Sequence, residues 1–182
     1  TSADKKGSIT ADLSLDLLRE ASVQIKDQQI TFEGDVSFPQ QGPGGVSFIG
    51  KISVIAPKGT FQTKPGLLSV QNADELTIII DVRTNYKNDQ YKQLCEQTIK
   101  VEAQEYKELK RRHIEDFSPL FDRVSLTLGN NRYDKLPTDK RWERIKSGAT
   151  DPGLDAIFFQ YGRYLLLASS RENSPLPVAL QG

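Results

Sequence analysis

The feature that most constrains this chain is a change of period at Asn85. From Gly7 to Asn85 apolar residues recur at every second position, and beyond it at every third or fourth. Period two lines one face of a strand; a period between three and four lines one stripe of a helix. The chain is therefore read as a β region followed by helices. SITADLSL alternates through Ile9, Ala11, Leu13 and Leu15, and ASVQIKD, QQITFEGDVSF, GVSFIGKISVIAP, GLLSVQ and ELTIIIDVRT follow in kind. About six strands are predicted, with Lys26, Asp27 and Gln28 as a tight turn. Gly50, inside the fourth strand, marks a bulge or a close neighbour. Turn signals between the strands suit antiparallel sheets packed as a sandwich. The Gly-rich QQGPGG, residues 40–45, reads as a hairpin connection, because a strand follows it and a phosphate loop needs a helix N-terminus.

After Asn85, NDQYKQLCEQTIKVEAQEYKELKRRHIEDFSPLF places Tyr106, Leu109, His113, Phe117 and Leu120 on one stripe. Two helices are predicted, broken near Lys100 to Ala103. RVSLTLG returns to strand alternation through Val124, Leu126 and Leu128. LPTDKRWERIKSG then has Pro137 and Thr138 as a helix start and Gly148 as its stop. In the last segment Asp151 is an N-cap with Pro152 at the first helical position. The run from Leu154 to Leu167 is apolar nearly all round, so burial on most sides is expected and partner helices are missing. The fold class is α+β: an antiparallel β-sandwich over 1–86, a helical linker with a short returning strand over 87–130, and further helices over 131–182.

Charge narrows the function classes. Lys and Arg number 24 and Asp and Glu 24, so no net field favours nucleic acid or an acidic membrane surface. The one dense basic cluster, KELKRRH at 107–113, reads as a solvated helix face. No apolar run approaches the roughly 20 residues of a membrane span. Neither a nucleic acid nor a membrane is predicted as partner. No signal peptide precedes the first strand, so the chain is read as mature or trimmed; the absence of Met is compatible with that and decides nothing. Cys95 and His113 are single; a disulfide within the chain and a zinc site are excluded, and no cofactor or metal is expected.

Candidates for chemistry are few. His113 is read as a buried imidazole bonded to the next element rather than as a base, and Cys95 as a small core residue. Glycoside hydrolysis needs an acid and a base or nucleophile across a sugar ring. Glu115 and Asp116 are adjacent on a helix and point different ways. Asp139 and Glu143 are spaced i,i+4 on an exposed face. Asp151 and Asp155 flank a helix start, where capping explains them. Trp142, Tyr161 and Tyr164 have the rings to stack on a sugar, but core or interface packing is the favoured reading. No residue is assigned as catalytic, cofactor-binding or metal-binding.

HIEDFSPLFDRVSLTLG and LPTDKRWERIKSGATDPGLDAIFFQYGRYLLLASSRENSPLPVALQG carry a resemblance that periodicity does not supply. They resemble the linker and the start of the catalytic domain of glycoside hydrolase family 95, the inverting α-L-fucosidases. The blocks HIxD, LPTDxR, FQYGRYLL, SSR and LPxNLQG occur in the family's order, with Ala179 where the family usually has Asn and Trp142 at a commonly aliphatic position. The match is specific over about 104–182. Residues 5–85 are similar, more weakly, to the second half of the family's N-terminal β-domain.

The resemblance implies that the helices open an (α/α)6 toroid. It also places the family's Asn pair, Glu general acid and supporting Asp downstream of Gly182. The chain is thus expected to be a fragment of an α-L-fucosidase-like enzyme, inactive alone, whose parent acts on fucosylated oligosaccharide in the periplasm or outside the cell. The alternative is a non-enzymatic sandwich that binds glycan or a protein partner, with self-association through the exposed terminal helix.

Overall fold

The computed structural model describes residues 1–37, 45–102, 106–129 and 132–174. Among these residues seven strands precede four helices, and strand gives way to helix across Asn85 as the period requires. The chain divides into two compact units, Thr1–Leu109 and Lys110–Gly182.

The strands of the first unit are β1 (Ile9–Leu13), β2 (Ser22–Lys26), β3 (Gln29–Ser37), β4 (Gly45–Ile55), β5 (Thr60–Lys64), β6 (Leu67–Ala73) and β7 (Thr77–Thr84). They form two antiparallel sheets, one ordered β1-β6-β5 and the other β2-β3-β4-β7. Alternation decides which side chains meet. Ile30 and Phe32 of β3 and Ile52 and Val54 of β4 bury against Leu68, Val70 and Ala73 of β6 in one sandwich-like core. β5 was not predicted, since TFQTK offers only Phe61 to the core; Pro65 and Gly66, at φ 72°, turn it back onto β6.

Gly50 is where it is for a neighbour and not for a bulge. It pairs directly with Phe32 in a register that runs unbroken from Gln29 opposite Ser53 to Ser37 opposite Gly45. A Cβ on Gly50 would lie 2.0 Å from the tip of the Phe32 ring. The ring therefore fills the space a side chain would take. Residues 38–44, and with them most of QQGPGG, lie outside the described residues; β3 and β4 pair antiparallel.

The first hairpin turn is tighter than expected. Lys26 still pairs with Gln29, leaving Asp27 (φ 48°) and Gln28 (φ 64°) as a two-residue loop. Two left-handed residues in sequence make a type I′ turn, which favours Asn-Gly. The double substitution Asp27→Asn, Gln28→Gly is expected to stabilise the first unit by about 1 kcal/mol. A higher urea midpoint at unchanged slope checks it.

Helix α1 (Tyr91–Glu102) packs on β4 and β7. Cys95 and Ile99 are fully buried beneath it. The Cys95 thiol donates to the Asp81 carbonyl at 3.6 Å, Arg83 Nη2 donates to Thr98 Oγ1 at 3.2 Å, and Lys51 pairs with Glu96. Burial, then the bond to Asp81, pushes the Cys95 pKa up to about 11. At neutral pH it is a core thiol, as its sequence context suggests.

The second unit is helical. Helix α2 (Tyr106–Phe121) runs through the division between units and is followed by α3 (Thr138–Lys146) and α4 (Pro152–Ser169). Gly148, at φ 92°, closes the turn after α3, and Asp151 Oδ1 accepts from Leu154 N at 3.0 Å at the start of α4. Both caps are where the sequence puts them.

Two expectations fail in this unit, the returning strand and the buried His113, while the apolar surface of α4 is left bare as the missing partner helices imply. Val124, Leu126 and Leu128 alternate, yet no strand forms between Arg123 and Gly129. A ladder needs a partner edge, and the Val124 carbonyl is already taken by side chains of α4. His113 is exposed rather than buried, and stacks on Phe117 one turn along, centroids 5.5 Å apart. In α4 only Gly153, Leu154 and Ala156 are buried, while Phe158 is 77% and Tyr161 56% exposed. Two further helices and an extended stretch are too little protein to cover an apolar surface that nearly encircles the helix. Ala179 lies outside the described residues.

Candidate functional site

The last turn of α2 leaves backbone carbonyls without helical partners, as every helix C-terminus does. Arg163 of α4 satisfies the carbonyl of Phe121, as Arg123 does that of Pro119 and the Asp122 amide that of Ser118. Arg163 Nη2 donates to Phe121 O at 2.9 Å and Arg163 Nη1 to Val124 O at 2.7 Å. Gln160 Nε2 adds a bond to Val124 O at 3.3 Å, and its Oε1 accepts from Arg163 Nη1 at 2.6 Å, which fixes the guanidinium. Above this seam the Phe117 and Phe121 rings stack at 5.6 Å and Tyr164 meets Phe117 edge-on at 5.7 Å. Arg171 closes it, bonding Asp116 at 2.8 Å over the Phe117 face. So the residues of FQYGRY bind backbone and rings of the segment FSPLFDRV.

Beside the seam lies an open cleft of about 510 Å³, lined by Leu126, Asp134, Arg141, Ile157, Tyr161 and Tyr164 among others. Its two charged members are already engaged. Arg141 grips Asp151 with two bonds, Nε to Oδ2 at 2.8 Å and Nη2 to Oδ1 at 2.6 Å, and turns Nη1 to Asp134 at 3.5 Å. Arg141 and Asp151 are both nearly inaccessible. The bond to Arg141 holds the Asp151 carboxyl below its ordinary pKa against the opposing effect of burial. This pair was not anticipated. The available signal was Arg141 at the end of LPTDKR, a cation ten residues before the capping Asp151.

None of the carboxylate pairs considered from sequence comes together for chemistry. Glu115 is bonded to Arg111, Asp116 to Arg171 and Glu143 to Lys140. Asp139 and Asp155 are exposed at helix starts, and Asp151 is committed to its cap and to Arg141. Trp142 is half exposed beside Lys146. Tyr161 and Tyr164 do line the cleft, stacked at 6.2 Å. Among the described residues no group of three or more His, Cys, Asp or Glu is arranged to hold a metal. The arrangement can accept an apolar or ring-shaped surface; it offers no free acid facing a base.

Comparison with known proteins places both halves of the chain. Residues 105–182 match the family model described as glycosyl hydrolase family 95 catalytic domain, and residues 1–89 match that of the glycosyl hydrolase family 65 N-terminal domain. Alpha-L-fucosidase 2 of Arabidopsis thaliana is 28% identical over 99% of this chain and 25% of its own length. Probable alpha-fucosidase A of Aspergillus oryzae is 29% identical over 79% of this chain and 22% of its own length, and that of Aspergillus niger 33% over 50% and 12%. The chain thus spans a quarter or less of the length of these curated relatives.

Proposed function

We propose that this chain, whose two halves match a glycoside hydrolase N-terminal domain and the family 95 catalytic domain, is the junction of an α-L-fucosidase-like hydrolase. Its sandwich is part of that enzyme's β-domain, and α3 and α4 are the first helices of its (α/α) toroid. The longer protein cleaves α-L-fucosyl groups from oligosaccharides in the periplasm or outside the cell, with acid and base supplied beyond Gly182. The observation that carries this reading is α4. It is sequence-matched to a catalytic domain, yet it leaves Phe158, Phe159, Tyr161 and Leu166 between 44 and 77% exposed, an apolar surface that toroid neighbours would cover.

The test is hydrolysis of an aryl α-L-fucoside by the 182-residue chain and by the longer protein. No turnover above buffer is expected from the chain, and a rate enhancement of at least about 10⁶ from the longer protein. Enzyme-like turnover by the chain alone would place the chemistry within these residues and overturn the proposal. Titration calorimetry with a fucosylated oligosaccharide separates the other reading: the two tyrosines of the cleft are the residues through which a binding module would act, and heat of binding to the isolated chain would favour it.

A further inference from the structure

We infer that β7 is not the edge of its sheet in the longer protein, and that the residues immediately preceding Thr1 add a strand to it. The pairing has already begun. Thr1 to Ala3 run antiparallel to Asp74 to Leu76: Ala3 N donates to Asp74 O at 3.0 Å, Leu76 N to Thr1 O at 2.8 Å and the Thr1 amine to Leu76 O at 2.9 Å, with Ser2 bridged to Glu75. Leu76 leads directly into β7, whose ladder on the other side is to β4. Chain continued backwards from Thr1 therefore travels along the free side of β7.

Backbone parity agrees. Asn85 N donates to Ser47 O, so odd-numbered residues of this stretch turn their polar groups toward β4, whereas Asp74 and Leu76 turn theirs toward the N-terminal residues. Antiparallel alternation then leaves Ile78, Ile80 and Val82 with amides and carbonyls facing the open side. The side chains of the same three residues lie opposite Val54, Ile52 and Gly50, on the core face of the sheet, and yet are 45, 61 and 52% exposed. A groove of about 500 Å³, lined by Thr1, Ile78, Ile80, Thr98, Tyr106 and Leu109, follows this edge. A long apolar edge strand left bare is an aggregation hazard; an added strand removes the unpaired backbone and the apolar row together. With Thr1 opposite Leu76, the second, fourth and sixth residues before Thr1 fall opposite Ile78, Ile80 and Val82. Apolar side chains belong at those three places.

Amide hydrogen exchange tests this in the longer protein and in the 182-residue chain. The Ile78, Ile80 and Val82 amides are expected to exchange at least a hundredfold more slowly in the longer protein. Proline at the second and fourth places before Thr1 should restore fast exchange at those amides while leaving the β3 and β4 amides protected. Equal exchange in both proteins overturns the inference, as does proline or charge at all three places in the natural gene. Protection that appears in the 182-residue chain and grows with its concentration also overturns it, assigning the edge to a second copy.

Discussion

Arg141→Ala is expected to lower the folded-to-unfolded ratio of the second unit at pH 7 by roughly a hundredfold or more. The reason is what it leaves behind. Asp151 sits at the first turn of α4, nearly inaccessible, with two charge-assisted bonds from Arg141 and one from the Leu154 amide. Without the guanidinium its charge is buried with a single donor. Arg141→Met combined with Asp151→Ser should recover most of the loss, since both charges go and Ser still caps the helix.

Acidity distinguishes this account from simple loss of packing. The folded pKa of Asp151 is depressed, chiefly by Arg141, so the stabilisation it brings is present above the unfolded value, about 3.9, and fades as pH falls through the folded value. In Arg141→Ala the largest cause of that depression is gone, and burial is opposed only by the Leu154 amide and the charge of Arg144, so most of the stabilisation above the unfolded value is lost. The difference between parent and variant should therefore shrink from pH 7 to about pH 3. Urea unfolding followed by helical circular dichroism measures it, and a difference independent of pH would rule out the ion-pair explanation.

The second large effect is expected from Gly50→Ala, a change of one methyl group. The new Cβ would enter the Phe32 ring, which is 7% exposed and tied into the core between the sheets. The ring can leave only by displacing its neighbours, so the first unit should lose about 3 kcal/mol. Phe32→Leu alone also destabilises, by vacating the space above Gly50. In combination the two should cost less than their sum, because Leu leaves room for the methyl; the double-mutant cycle reads that coupling. Strict additivity would mean that the ring and the glycine do not share the space.

What was legible in the sequence divides along physical lines. β2, β3, β4 and β7 show in the alternation because one face of each carries consecutive apolar residues, and the caps at Gly148 and Asp151 show because capping chemistry is local. β5 was illegible because a single Phe61 cannot declare a period. Val124, Leu126 and Leu128 misled for the opposite reason: their alternation is real, but a strand is a property of two segments, and Arg163 with Gln160 occupies the backbone a partner would need. The seam and the buried Arg141–Asp151 pair join residues 10 to 55 positions apart. No local pattern encodes such contacts, and the motif blocks flagged the residues without saying what they touch. The exposed His113 shows the limit of a stripe: it marks the apolar side of a helix, and how far along that side cover extends depends on what else is packed there.

Two of the residue types that occur once in the chain are shared out between its units. The single Cys, Cys95, is sealed beneath α1 in the first, and the single Trp, Trp142, stands on α3 in the second. Each unit thus carries its own intrinsic reporter. A thiol reagent clocks the opening of α1 from the sheet, while tryptophan fluorescence follows the helices, in one unlabelled sample. Whether the halves of this junction open together or in turn can be read directly from the two time courses.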